Sequence, residues 1–242
     1  MATMGSSKMA FLGDRLQVVW LAIIVALLAV GVALSFRPES IGSVRFVAIY
    51  GGITAVLAIA GMVRAYRDGE LREWLRPAFG DFTSAFFATA LLFGASYAFA
   101  KYVILPGDVR TGWLSRIYLQ MGDPAILRSK VFVVGGVILV ISAAEEILWR
   151  GFVTTLLAEI AGSRRAWIYA ALLYAIAHVP TLWLLADPRA GLNPLVVLAA
   201  LGCGLVWGAL ARRNGRLVPG IISHALFDWC VIVMFRFWGP SA

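Results

Sequence analysis

The sequence predicts an all-α fold, a multi-pass transmembrane helical bundle of about seven spans with room for an eighth. Three observations lead there. Of the 242 residues, 61% are hydrophobic and 14% charged, and the mean hydropathy is +0.86; a soluble domain of this size needs far more surface charge. Apolar runs long enough to cross a hydrocarbon core, roughly 20 residues each, recur along the chain. The basic residues fall between those runs, where Arg and Lys meet anionic headgroups. The net charge of +8 and the pI of about 10.0 therefore point to the lipid bilayer as partner and not to nucleic acid.

Seven stretches have the length and hydropathy of a span, or nearly so: Val18–Phe36, Phe46–Val63, Phe82–Val103, Val131–Leu157, Ala166–Ala186, Leu195–Ala211 and Leu217–Trp238. The first is longer than the apolar region of a secretion signal and reads as a retained helix. The fourth is long enough to tilt or to leave the membrane at its end. In the fifth, Pro180 removes a backbone donor and predicts a kink. In the sixth, Gly204 and Gly208 form a small-xxx-small pair that favours close helix packing. Between the third and fourth lies Leu105–Lys130, with Pro106, Gly107, Gly112, Gly122 and Pro124. Its middle, Trp113–Met121, fits a short interfacial helix or a plain loop equally.

The chain shows no repeat and no linker, so residues 1–242 read as one domain of a cell membrane. Cys203 and Cys230 sit in separate apolar runs as small packing residues. The tryptophans, Trp149 among them, read as packing groups or interfacial anchors, and Tyr174 as a packing aromatic with its hydroxyl satisfied. With the N-terminus inside, 11 basic residues (Lys8, Arg15, Arg64, Arg67, Arg72, Arg76, Arg164, Arg165, Arg212, Arg213 and Arg216) face inward. Against them, 9 (Arg37, Arg45, Lys101, Arg110, Arg116, Arg128, Lys130, Arg189 and Arg236) face outward. The balance leans towards that orientation.

The informative residues are those that lipid should exclude. The fourth span holds Glu145, Glu146 and Arg150, the fifth His178, and the seventh His224 and Asp228. A charge at mid-membrane costs about 2.5–3.5 kcal/mol, so four left unpaired would cost on the order of 10–14 kcal/mol. These groups must face the bundle interior and pair. Glu146 and Arg150 are four apart with the acid first, the favourable order for a helical ion pair. Glu145 is turned by about 100° and addresses a different neighbour. His224 and Asp228 share a helix face, and His178 follows Tyr174 at the same interval. Counting about 1.5 Å per residue, Glu145 and His178 lie roughly 18 Å, and His224 roughly 11 Å, into their spans from one membrane side.

Peptide hydrolysis needs a base for water, a group to orient that water, and a donor for the developing oxyanion. A glutamate with two histidines supplies this set without a serine or cysteine nucleophile. Glu/His/Asp chains also relay protons, so a proton-coupled transporter or channel is the alternative reading of the same cluster. A zinc site is conceivable from Glu145 with His178 and His224, but H-E-x-x-H is absent, and no cofactor is expected.

Ala144 to Gly151 (AEEILWRG) resembles the EExxxR motif of CAAX-processing and bacteriocin-processing proteases, the CPBP or abortive-infection family. Tyr174 to His178 is similar to the family's FxxxH motif, with Tyr for Phe, and His224 to Asp228 to its HxxxN or HxxxD motif. All three occur in the family's order within residues 131–238, and the first three spans carry none. The resemblance implies a glutamic-type intramembrane endopeptidase, although older descriptions of the family called its members metalloproteases. It implies that Glu145 is the base and His178 shares the water. Glu146 and Arg150 would hold the site, and His224 with Asp228 would line the oxyanion position. An asparagine at position 228 would donate a hydrogen bond, whereas an ionised aspartate only accepts. Asp228 is therefore protonated, or it orients His224 instead. The implied partner is a membrane-anchored protein or peptide substrate, not necessarily prenylated.

Overall fold

The computed structural model describes residues 3–237, with side chains from Arg15 onward. The chain runs through α1 (Thr3–Ser35), α2 (Val44–Arg67), α3 (Leu71–Leu75), α4 (Asp81–Tyr102), α5 (Thr111–Met121) and α6 (Pro124–Ser129). It continues through α7 (Val131–Glu146), α8 (Thr154–Ala161), α9 (Ser163–Ala177), α10 (Thr181–Leu184), α11 (Leu195–Asn214) and α12 (Val218–Trp229). Among the described residues there is no strand, only an isolated bridge between Asp187 and Gly191. The protein is an all-α multi-pass bundle, and the Trp113–Met121 stretch is helical, within α5.

Among the described residues, five helices are long and apolar enough to cross a membrane: Arg15–Ser35, Val44–Arg67, Asp81–Tyr102, Val131–Ala161 and Leu195–Asn214. They coincide with the first, second, third, fourth and sixth expected spans. The fifth, expected as Ala166–Ala186, is interrupted. Its helix α9 ends after 15 residues, about 22 Å at 1.5 Å per residue and short of a hydrocarbon core of about 30 Å. The cause is local. Pro180 has no N–H and disfavours helical geometry at Val179, so the chain turns and resumes for one turn in α10. The seventh is an apolar helix over Val218–Met234. Its expected end, Trp238, lies outside the described residues, as does the side chain of Lys8.

The fourth span is continuous but not uniform. After Glu146 it widens into a π-helical segment, Ile147–Val153, before α8. Thr154 Oγ1 donates to the Trp149 carbonyl at 2.8 Å, five residues back. Such wide turns concentrate at functional positions in helices. Gly151 lets the segment press against Trp74, since a Cβ there would lie 2.5 Å from the indole ring. At the end of α8, Gly162 takes φ +81°, a left-handed turn that returns the chain into α9.

Lipid tails are as apolar as leucine, so packing between helices, not exclusion of water, holds this bundle together. Leu148, Trp149 and Val153 of the π-helical segment are its centre, packed with Leu21, Ile24 and Leu28 of α1 and with Ala166 and Ala170 of α9. The glycine pair of α11 packs closely, as expected. A Cβ at Gly204 would sit 3.0 Å from Ala171, and one at Gly208 3.2 Å from the Trp167 ring, both on α9. Phe82, Phe86 and Phe87 of α4 and Phe132 of α7 are turned outward, as lipid-facing positions require. At one end of the bundle, Gln17 and Arg64 both bond Glu159 and tie α1, α2 and α8 together.

Candidate active site

The site forms where the last residues of α7 meet α9 and α12. Glu145 and Glu146 are consecutive, so their side chains diverge by about 100° and serve different partners. Glu146 is fully buried and Glu145 nearly so. Glu146 Oε1 lies 3.1 Å from Arg150 Nη1, one turn along, and accepts from His224 Nδ1 of α12 at 2.9 Å. Arg150 makes this contact as an ion pair without hydrogen-bond alignment. Its guanidinium otherwise faces aromatic rings, 4.9 Å from the centroid of Tyr174 and 5.2 Å from that of Trp207, an arrangement that favours a cation.

Close approach of α12 makes the Glu146–His224 bond reachable. Gly220, one turn before His224, lies against the carboxylate, and a Cβ there would be 2.8 Å from Glu146 Oε2. An ionised carboxylate accepts and cannot donate, so His224 Nδ1 carries a proton. The other ring nitrogen, Nε2, then faces Glu145 Oε2 at 3.7 Å and Asp228 Oδ2 at 3.6 Å. Asp228 is the most open member of the group, with 28% of its side chain exposed.

The ring of His224 is held flat against Trp207 of α11, with centroids 3.7 Å apart and planes 20° from parallel. Trp207 is itself fixed, its Nε1–H donating to Ser223 Oγ at 3.1 Å. Thr89 of α4 donates towards the same hydroxyl at 3.2 Å. Trp207 is a packing residue, as expected of the tryptophans, fully buried, and what its packing reaches is the site, since it touches both His224 and Arg150.

His178 occupies the position just beyond α9, where the break at Pro180 has a chemical consequence. Its backbone N–H returns to Ala175 at 3.1 Å, so the Tyr174 carbonyl loses its regular helical donor. The His178 ring fills the place, with Nδ1 2.8 Å from that carbonyl. A carbonyl only accepts, so Nδ1 is the protonated nitrogen, and neutral His178 presents Nε2 as an acceptor. His178 is buried and within electrostatic reach of Glu145, His224 and Arg150.

Tyr174 completes the group. Its hydroxyl donates to Glu145 Oε2 at 2.6 Å, so the partner that satisfies the phenol is the candidate base itself. Tyr50 of α2 also interacts with Glu145, and its ring centroid is 6.1 Å from that of His178. All six residues singled out in the sequence thus belong to one cluster. Trp207, Tyr50, Ser223 and Thr89 join it from positions with no motif.

Two open clefts lie elsewhere. One of about 480 Å³ is lined by Phe93, Tyr97, Lys101 and Phe235–Phe237. The other, of about 490 Å³, lies between α2 and α7 and reaches the site only through Ala144, the neighbour of Glu145. Among the described residues, no group of three His, Cys, Asp or Glu side chains is arranged to hold a metal ion. Glu145, His178 and His224 do not form such a group in this structure.

Comparison with known proteins places a family match on this region. Residues 127–230 match the model of the family described as type II CAAX prenyl endopeptidase Rce1-like. The match contains all three motifs and leaves residues 1–126 outside it. No solved structure matches the chain.

Proposed function

Residues 127–230 match the model of the Rce1-like family of type II CAAX prenyl endopeptidases, and on that premise we propose that the protein is an intramembrane endopeptidase in which Glu145 activates the attacking water. The observation that carries this reading is the aim of His224. Glu146 fixes its Nδ1 at 2.9 Å, and Nε2 is thereby directed into the gap between Glu145 and Asp228. A carbonyl entering that gap meets a base on one side and an imidazole donor at its oxygen.

In this mechanism Glu145 takes a proton from water as the water oxygen bonds to the scissile carbonyl carbon. Nε2 of His178, bare because Nδ1 is committed to the Tyr174 carbonyl, accepts from the same water and orients it. With Nδ1–H held by Glu146, His224 acts as an imidazolium, protonated on both nitrogens, whose Nε2–H donates to the oxyanion, and Asp228 beside it orients that donor. As the C–N bond breaks, Glu145 returns its proton to the leaving amine. Arg150 lies beside Glu146 at 3.1 Å, so the carboxylate that holds the imidazole has a cationic partner. The substrate is a membrane-anchored protein or peptide presented to a cell-membrane enzyme, with a prenylated C-terminus as one form of anchor.

The test is cleavage of a membrane-tethered substrate by the purified protein in detergent, with Glu145→Gln as the comparison. Loss of turnover of about 10²–10⁴-fold, the usual contribution of a positioned general base, is the expected result, with folding intact. A fully active Glu145→Gln enzyme would sink the mechanism. Proton flux in liposomes without cleavage of any tethered substrate would favour a transporter instead.

A further inference from the structure

We infer that Tyr174 is a positioning residue that aligns both water-handling groups at once, Glu145 through its hydroxyl and His178 through its carbonyl. The inference rests on the reading of Glu145 as the base, and it assigns a role to a side chain that sequence alone leaves as packing.

The geometry carries it in three parts. The phenol is a donor to Glu145 Oε2 at 2.6 Å, with both residues buried. That length falls in the range of a charge-assisted O–H···O⁻ bond, about 2.5–2.7 Å. The bond restrains the carboxylate's rotation and uses one of its roughly four lone-pair sites; Tyr50 addresses the same carboxylate, and sites remain for water. Second, the ring that carries the hydroxyl cannot swing away. It meets His178 edge-on at 4.8 Å, lies 5.2 Å from Trp149, and has the Arg150 guanidinium 4.9 Å from its centroid. Third, the backbone carbonyl of the same residue receives His178 Nδ1 at 2.8 Å, which sets that ring's tautomer. One residue therefore registers the base against the histidine across the α7–α9 interface.

The two functions are separable. Any residue at position 174 supplies the carbonyl, and phenylalanine, the residue of the resembled motif, supplies the ring. Only the hydroxyl reaches Glu145, so Tyr174→Phe removes that one contact.

The experiment compares wild type, Tyr174→Phe, Glu145→Gln and Tyr169→Phe on a membrane-tethered substrate, with melting temperatures for each. Tyr169→Phe deletes a hydroxyl from the same helix outside the site and serves as the control. The expected result is a kcat of Tyr174→Phe lowered by about 10- to 100-fold, the effect of one lost hydrogen bond to a charged group. KM should stay unchanged, and the pH profile of kcat/KM should be displaced from that of wild type, while the control matches wild type in all three. Wild-type kcat in Tyr174→Phe, with Glu145→Gln inactive, would overturn this inference and leave the base assignment standing. Full activity in both variants would instead overturn the assignment of Glu145. A lower melting temperature or a smaller kcat with an unmoved pH profile would make the hydroxyl merely structural, which also overturns the inference.

Discussion

Trp207 lies flat on His224, 3.7 Å between ring centroids, and it also meets Arg150, Ser223 and Phe227. The indole therefore sets the plane in which the imidazole can rotate, while Glu146 sets its direction. Trp207→Ala should lose about 3–5 kcal/mol of stability, the range for truncating a buried aromatic, and should lose activity as well. Trp207→Phe keeps a ring beneath His224 but drops the Nε1–H bond to Ser223, so it should retain more of both. Melting curves and cleavage assays on the two variants check this. Wild-type turnover in Trp207→Ala would show that the stack has no part in aligning His224.

The two glutamates should fail in different ways. Glu146→Gln leaves Arg150 without its charge partner in a low-dielectric site, and breaking a buried pair typically costs about 3–5 kcal/mol. That variant should lose melting temperature or yield together with activity, since His224 loses its anionic anchor too. Arg150→Gln should resemble it. The double variant should cost less stability than the sum of the single ones, because it buries no lone charge. Glu145→Gln should melt close to wild type. Equal melting of both glutamine variants, with Glu146→Gln alone inactive, would mean that the two carboxylates have been assigned the wrong way round.

Turnover should not depend on zinc. Among the described residues no three His, Cys, Asp or Glu side chains are grouped to hold a metal ion, and tetrahedral zinc needs three or four convergent ligands. Dialysis against a strong chelator, followed by metal analysis and assay, should leave kcat unchanged. Activity abolished by chelation and restored by stoichiometric zinc would make Glu145, His178 and His224 ligands instead.

Relationships within one helix were legible in the sequence. The Glu146–Arg150 pair and the shared face of His224 and Asp228 follow from the 3.6-residue period, and a kink at Pro180, though not the full break, follows from proline's missing N–H. The all-α membrane class followed from composition, and five spans from hydropathy. The fifth expected span was overestimated because hydropathy continues through Val179–Ala186 while helical hydrogen bonding does not.

Relationships between helices were decided only by tertiary structure. Hydropathy fixes neither a helix's rotation about its axis nor its depth beside a neighbour. Whether Glu146 or Glu145 would take His224 Nδ1 therefore could not be read from residue order. The close approach of α12 at Gly220 decides it, bringing His224 to Glu146 and turning its other nitrogen towards Glu145. For the same reason Tyr50, Thr89 and Trp207 carried no signal. Each is an ordinary aromatic or small polar residue on its own helix, and becomes part of the site only when packing puts it beside a histidine or a carboxylate from another or, for Thr89, beside Ser223.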